Sequence, residues 1–200
     1  MNVTRPTPAH FGFFVYDLDK MVDFYTQVFK LTITDEGLGK NFGNRLVFMS
    51  ATEDQHHQIV LSEGRSPDSK VSTIMQVSFL VPDLAELRWN RDKAEALGAT
   101  EMRPMNHGNA WSLYYFDPEG NRVEVYLDTP YYVNQPYGTP LDLGKSEEEL
   151  LAETFAMVRD DPSYMPLAEW QRLFELSDRF GFVIASDECY SEIYFRDEAP

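Results

Sequence analysis

One carboxylate in the sequence has surroundings that could suit a metal ion. The segment 122–127 alternates in hydropathy, which predicts a strand with Glu124 on its polar face. Its apolar residues share the other face: Val123, Val125 and Leu127. If that apolar face packs on helices, Glu124 faces away from them, and burying its charge is costly unless another group compensates it. A divalent metal is one such group, and an ion pair with Arg122 or Arg103 is the alternative.

The elements that position this carboxylate belong to a repeat. His10 and Gln76 each begin an apolar, strand-like run, and 76 − 10 gives an offset of 66 residues. A helical stretch follows each run, behind the predicted N-caps Asp17 and Asp83. Three further strands are predicted in each half: 31–35, 45–50 and 58–62, then 101–105, 110–116 and 122–127.

The same offset extends to the later strands. It maps Phe48 onto Tyr114 and Gln58 onto Glu124. A constant offset across several strands predicts an internal duplication, here of two βαβββ units.

Composition excludes several classes of function. The 200 residues carry a formal charge of −16, which argues against a nucleic-acid or anionic-membrane surface as partner. Residues 1–130 hold 12 basic and 18 acidic side chains, and residues 131–200 hold 5 and 15, so the second part is the more acidic. The N-terminus does not resemble a signal peptide, and Cys189 is the single cysteine, so we expect a cytoplasmic protein without a disulfide framework.

Two segments resemble the vicinal oxygen chelate superfamily, which includes glyoxalases, type I extradiol dioxygenases and bleomycin-resistance proteins. They run from His10 to Tyr25 and from Trp111 to Tyr126. The resemblance covers about residues 8–130, and an extension to about residue 170 is similar to that of diol dioxygenases. It implies an α+β fold in which two βαβββ modules, about 8–65 and 72–128, form a half-open barrel around a metal site.

The resemblance also implies a ligand set of His10, Gln76 and Glu124. Without it, a histidine at a strand start is more often a hydrogen-bonded core residue. Gln76 occupies the position where ring-cleaving extradiol enzymes have a second histidine, although glyoxalase-type members accept glutamine as a ligand. Alternatively, Gln76 hydrogen-bonds a substrate or the neighbouring strand.

Further residues resemble the extradiol dioxygenase signature. The matching pattern is His107-x5-Leu113-Tyr114-x2-Asp117-Pro118-x-Gly120-x3-Glu124. Met105, two residues before this histidine, is a mismatch, because the signature usually has Gly, Asn, Thr or an aliphatic residue there. The match implies His107 as a donor to substrate or oxygen and Tyr114 as a hydroxyl donor to a catecholate. The alternative is a loop histidine and a core tyrosine.

The doublet His56-His57 precedes the fourth strand of the first half. Strand alternation would direct its members to opposite faces, His56 with Gln58 towards the cavity and His57 towards the helices unless a bulge intervenes.

The C-terminal third differs from the rest. Residues 131–170 combine an aromatic and proline-rich strap with an acidic helix that begins with a capping box, Ser146 to Glu149, and a second helix is predicted from 166 to 179.

Residues 171–200 resemble a fragment of a fold-type I aminotransferase, in which Asp187 and Tyr190 match cofactor-contacting positions. The fragment lacks the rest of that enzyme, so we expect no pyridoxal phosphate and no function for it. The run from Phe182 would be an interior strand of a parallel sheet in such an enzyme.

Taken together, the sequence predicts a metal-dependent, extradiol-dioxygenase-like enzyme acting on a catechol-type diol. The expected metal is Fe(II), with Mn, Zn or Ni as alternatives, and the protein could form a homodimer. Two other functions stay open: a glyoxalase-like isomerase or lyase, and a metal-free protein that binds a small molecule.

Overall fold

The computed structural model describes residues 8–40, 43–66, 68, 69, 72, 74–186 and 191–195. In this part of the chain the helices are α1 (Leu18–Phe29), α2 (Leu84–Ala96), α3 (Glu147–Val158) and α4 (Leu167–Phe180). The strands of the first module are β1 (Phe11–Val15), β2 (Thr32–Leu38), β3 (Arg45–Ser50) and β4 (Ile59–Glu63). Those of the second module are β5 (Val77–Leu80), β6 (Thr100–Asn106), β7 (Ala110–Phe116) and β8 (Arg122–Asp128). The later strands are β9 (Tyr131–Tyr132), β10 (Thr139–Pro140), β11 (Met165–Pro166), β12 (Phe182–Ser186) and β13 (Ser191–Phe195).

The two modules have the same topology. The first forms a four-stranded sheet of order β1-β4-β3-β2, in which β1 runs parallel to β4. The second forms a five-stranded sheet of order β10-β6-β7-β8-β5, in which β5 runs parallel to β8. The predicted α+β class is therefore confirmed, and both sheets are open rather than closed into a barrel.

The constant offset of 66 residues is wrong for the last strand of each module. The facing residues in the two parallel pairs are Phe11 with Ile59 and Val77 with Val123. The offset is thus 66 between β1 and β5 but 64 between β4 and β8, so Gln58 is not the counterpart of Glu124. The connection between β3 and β4 is longer than the turn between β7 and β8. A single offset therefore cannot align both the strands before these connections and the strands after them.

Both module helices begin where the sequence predicts. Asp17 accepts a hydrogen bond from the backbone N–H of Lys20, and Asp83 accepts one from that of Glu86. The apolar stripe of α1 is buried: Leu18, Met21, Phe24, Tyr25 and Val28. Each such side chain contributes about 1.5–3 kcal/mol by leaving water. The ring of Phe29 stacks on Phe79 of β5 with the ring centres 3.6 Å apart, which joins the two modules.

The chain divides into two compact units. One comprises the described residues of 1–103 and 113–126, and the other those of 104–112 and 127–200. In the second unit, Ser146 and Glu149 form the predicted capping box of α3. Thr154 of α3 is fully buried, and its hydroxyl accepts hydrogen bonds from Asn106 and Trp111.

The C-terminal strands form a small sheet of their own. β12 pairs with β13 in an antiparallel hairpin, and no other strand of the described residues pairs with either, in agreement with the lack of the parallel neighbours that an aminotransferase would supply. α4 begins at Leu167 and buries none of its residues. Asp187, Cys189 and Tyr190 lie outside the described residues. None of the helices in the described ranges is long and apolar enough to cross a membrane.

Candidate functional site

Glu124 lies at the centre of a hydrogen-bonded cluster formed by β5, β7 and β8. Its Oε1 accepts a hydrogen bond of 2.6 Å from the Tyr114 hydroxyl. Its Oε2 accepts bonds of 2.7 Å from Gln76 Nε2 and of 2.7 Å from Ser78 Oγ. The predicted alternation of β8 is confirmed, because Val123 and Val125 are fully buried on the opposite face.

The carboxylate of Glu124 is buried without a cation. The residue is 9% exposed, and all three of its hydrogen-bond donors are neutral groups. In the part of the chain that the structure describes, no lysine, arginine or histidine pairs with it. Buried carboxylates are usually paired with a cation or bound to a metal, and Glu124 has only neutral hydrogen-bond donors among the described residues.

The alternative ion pair of Glu124 with Arg122 or Arg103 is wrong. The Arg122 guanidinium lies over the ring of Tyr114, 4.5 Å from its centre. Strand alternation explains why Arg122 and Glu124 share a face of β8. The Arg122 guanidinium nevertheless forms a cation–π contact with Tyr114 and no ion pair with the Glu124 carboxylate.

Ser78 is a member of this cluster that sequence reasoning missed. It lies directly opposite Glu124 in the parallel pairing of β5 with β8. It also accepts a hydrogen bond from Gln76 Nε2 at 3.0 Å. The available signal was its spacing, because Ser78 lies two residues after Gln76 in the same predicted strand-like run, and alternation places such side chains on one face.

In the described part of the chain, no hydrogen bond or ring contact joins His10 to this cluster. Its ring packs against His57 with the centres 4.2 Å apart, and His57 Nδ1 lies 2.9 Å from His56 Nδ1. Burial lowers the pKa of His57, and the neighbouring His10 and His56 lower it further. The expectation that His57 faces the helices is wrong, because residues 51–58 precede β4 and do not follow strand alternation.

A cavity of about 440 Å³ lies beside His10 and reaches Ser78 of the Glu124 cluster. His10, Gln58 and Ser78 line it together with mainly apolar residues, and Ser78 is the residue that donates to Glu124. Its volume lies within the range of about 300–1,000 Å³ that is usual for small-molecule sites.

His107 follows β6 in the turn before β7. Its Nδ1 lies 2.5 Å from the carbonyl oxygen of Tyr137. Since a carbonyl oxygen only accepts, Nδ1 carries the proton of this hydrogen bond. The segment between β9 and β10 makes a second contact with His107, because Gln135 Nε2 donates to the His107 carbonyl at 2.9 Å.

The turn between β7 and β8 fixes Tyr114 opposite Glu124. Asp117 begins this turn, and its carboxylate accepts bonds from the backbone N–H groups of Glu119 and Asn121. The Tyr25 hydroxyl and the Asn121 amide also donate to it. Burial raises the pKa of Asp117, and these hydrogen bonds act against that rise.

The donor set at Glu124 fits a divalent cation, though not the common iron site. A buried carboxylate without a countercharge lies next to an amide whose oxygen and nitrogen can exchange places by rotation. The described residues contain no group of three or more His, Cys, Asp and Glu side chains gathered for a metal. The hydrogen-bond partners of Glu124 include no imidazole, whereas non-haem Fe(II) oxygenases generally use two histidines with one carboxylate.

Comparison with known families identifies the fold. The model of the Glyoxalase/Bleomycin resistance protein/Dioxygenase superfamily matches residues 7–125, more than half of the chain. The chain belongs to this superfamily. The resemblance seen in the sequence is thereby confirmed at the level of the family.

Relatives within the superfamily include two dioxygenases of Rhodococcus globerulus. The chain is 28% identical over 173 residues to biphenyl-2,3-diol 1,2-dioxygenase 3, and the match covers 84% of this chain and 82% of the relative. It is 26% identical over 155 residues to biphenyl-2,3-diol 1,2-dioxygenase 2, covering 68% and 77%.

Solved structures show the same fold. A glyoxylase/bleomycin resistance protein/dioxygenase domain from Frankia sp. EAN1pec matches with a TM-score of 0.54 and 21% identity, over 63% of this chain and 100% of that one. The fosfomycin resistance protein FosX of Listeria monocytogenes, solved with Mn(II) and sulfate, matches with a TM-score of 0.50 and 22% identity, over 63% and 95%.

Proposed function

We propose that this protein is a metal-dependent enzyme of the extradiol dioxygenase type and that it acts on a catechol-like vicinal diol. The observation that carries the proposal is the buried carboxylate of Glu124, which has neutral donors only. The two relatives named as biphenyl-2,3-diol 1,2-dioxygenases support the choice of a diol.

His10, Gln76 and Glu124 are the residues that would hold the metal. Glu124 supplies the charge, Gln76 its amide oxygen after rotation of the side chain, and His10 an imidazole from the first module. A bound divalent metal would supply Lewis-acid charge for the two oxygens of the diol and, as Fe(II), redox chemistry with dioxygen.

The chain's own residues bind and orient the substrate. The apolar cavity takes the ring and excludes water from it. The Tyr114 hydroxyl, already within 2.6 Å of the carboxylate, turns to donate to a diol oxygen. His107 serves as a donor to the substrate or to dioxygen, the role that its match to the extradiol dioxygenase signature implies.

Gln76 favours one second candidate, an isomerase or lyase of the glyoxalase type that uses no dioxygen. One imidazole, one amide oxygen and one carboxylate form a harder ligand set than two imidazoles and one carboxylate. Oxygen-rich sets suit ions such as Mn(II).

Oxygen uptake separates the two candidates. The purified chain would be loaded with Fe(II) or with Mn(II) and given catechol or 2,3-dihydroxybiphenyl. We expect metal retention and uptake of dioxygen by the wild type and loss of both in Glu124→Gln. Glu95→Gln, an exposed change on α2, is the matched control and should behave as the wild type.

Each outcome has a defined meaning. Metal retention without oxygen uptake across the diols would favour the glyoxalase-type candidate. A wild type that retains no metal and takes up no oxygen would overturn the proposal.

A further inference from the structure

A second, smaller cavity lies against the ring of Tyr114. Its volume is about 170 Å³, and β6, β7 and β8 line it. The lining residues are Glu101, Arg103, Tyr114, Tyr115, Phe116 and Arg122. This volume is below the range of about 300–1,000 Å³ that is usual for a whole ligand. The cavity therefore suits one substituent of a larger molecule.

The charges around this cavity are predominantly positive. Arg122 and Arg103 contribute two guanidinium groups, and Glu101 contributes one carboxylate. In the described part of the chain, neither arginine forms an ion pair with any carboxylate, Glu101 included. Two guanidinium groups without a salt bridge to a described residue thus lie at one cavity of a chain whose formal charge is −16.

Tyr114 connects this cavity with the cluster at Glu124. Its ring forms one wall of the cavity and lies under Arg122, while its hydroxyl donates to the carboxylate. Arg122 and Glu124 are two residues apart on β8 and so share a face of the sheet. A diol held at the Tyr114 hydroxyl would therefore have its ring substituents beside the Arg122 guanidinium, which lies 4.5 Å from the Tyr114 ring centre, and beside the cavity that Arg103 also lines.

We propose that Arg103 and Arg122 form a subsite for an anionic substituent, so that the preferred substrate is a catechol that carries a carboxylate. This inference rests on the proposed function, because it presupposes that a diol binds at Glu124 and Tyr114. The planar guanidinium fork matches a carboxylate in geometry and charge, which a neutral catechol cannot use.

Calorimetric titration of the metal-loaded protein tests the subsite. The probes are 3,4-dihydroxybenzoate, 2,3-dihydroxybenzoate, catechol, and methyl 3,4-dihydroxybenzoate as a neutral analogue. We expect at least one of the two acids to bind about ten- to a hundredfold more tightly than the neutral probes, as for one charge-assisted contact. Added salt should reduce this preference, because the site is partly exposed.

Variants separate the subsite from general effects of charge. Arg103→Gln should remove most of the preference for the acid and leave catechol binding within about twofold of wild type. Glu101→Gln should strengthen binding of the acid, because it removes the negative charge from the cavity. Arg91→Gln, a change on α2 outside the cavity, is the matched control.

The results also distinguish this inference from the proposed function. If catechol and both acids bind equally and Arg103→Gln changes nothing, the subsite is refuted while the diol site stands. If neither the acids nor the neutral diols bind, the proposed function itself fails. A preference for the acid that Arg103→Gln and Arg91→Gln reduce equally would also refute the subsite.

Discussion

Replacing Asp117 by alanine should destabilise the protein strongly and should disturb the site at the same time. The residue is 2% exposed, and its carboxylate accepts four hydrogen bonds within 3.1 Å. Their donors are two backbone N–H groups, the Asn121 amide and the hydroxyl of Tyr25, which is fully buried. All four lose their acceptor in Asp117→Ala.

The magnitude follows from these unmet donors. A buried donor left without a partner costs about 1–3 kcal/mol, and removal of the buried charge returns part of that cost. We therefore expect the free energy of unfolding to fall by about 3–6 kcal/mol, a large share of the ~5–15 kcal/mol typical of a domain. Tyr25→Phe removes only one of the four donors and should cost about 1 kcal/mol.

Urea unfolding followed by circular dichroism measures both variants. The β7–β8 turn holds Tyr114 opposite Glu124, so any Asp117→Ala protein that stays folded should also bind catechol more weakly. If Asp117→Ala lost no more stability than Tyr25→Phe, the turn would not depend on this carboxylate, and the reasoning would be refuted.

Three further changes test other parts of the structure. Thr154→Val leaves the buried donors of Asn106 and Trp111 unpaired and should cost about 2–4 kcal/mol in urea unfolding, whereas Thr154→Ser should cost about 1 kcal/mol; equal losses would contradict this. Burial raises the pKa of Glu119, so the native state binds its proton more tightly than the unfolded state. The free energy of unfolding of the wild type, compared with that of Glu119→Gln, should therefore fall as the pH rises from the ordinary carboxyl range to the raised pKa of Glu119. Thermal melts in which the wild type gains stability relative to Glu119→Gln over this pH range would contradict the prediction. Deleting residues 172–200 should leave the melting temperature and catechol binding nearly unchanged, because α4 buries no residue, and loss of folding would disprove this.

Local patterns predicted the elements of the fold well. The strands 45–50 and 110–116 have the predicted bounds, and the helix caps Asp17 and Asp83 lie where predicted. The strands depend on the period of hydropathy along the chain, and the caps depend on hydrogen bonds between a side chain and the backbone N–H three residues later. Both are local and can be recognised in a sequence. The constant repeat offset failed because loop lengths differ between the modules, and a pattern of strands does not record that difference.

The candidate site was predictable only in part. Gln76, Tyr114 and Glu124 were expected near one another, and the structure brings them together. Ser78 was missed because an exposed serine on a strand has no distinguishing pattern of its own. The partner of Arg122 was also missed, because a long side chain can reach either a carboxylate or an aromatic face, and only the packed structure selects between them.

The proposed function depends on the binding of a divalent metal by Glu124. Anomalous diffraction from crystals soaked in Fe(II) or Mn(II) locates such an ion directly. We predict one strong peak within about 2.0–2.3 Å of a Glu124 carboxylate oxygen, with Gln76 turned to present its amide oxygen. A peak at His56 and His57 instead, or no peak beside Glu124, would contradict the account.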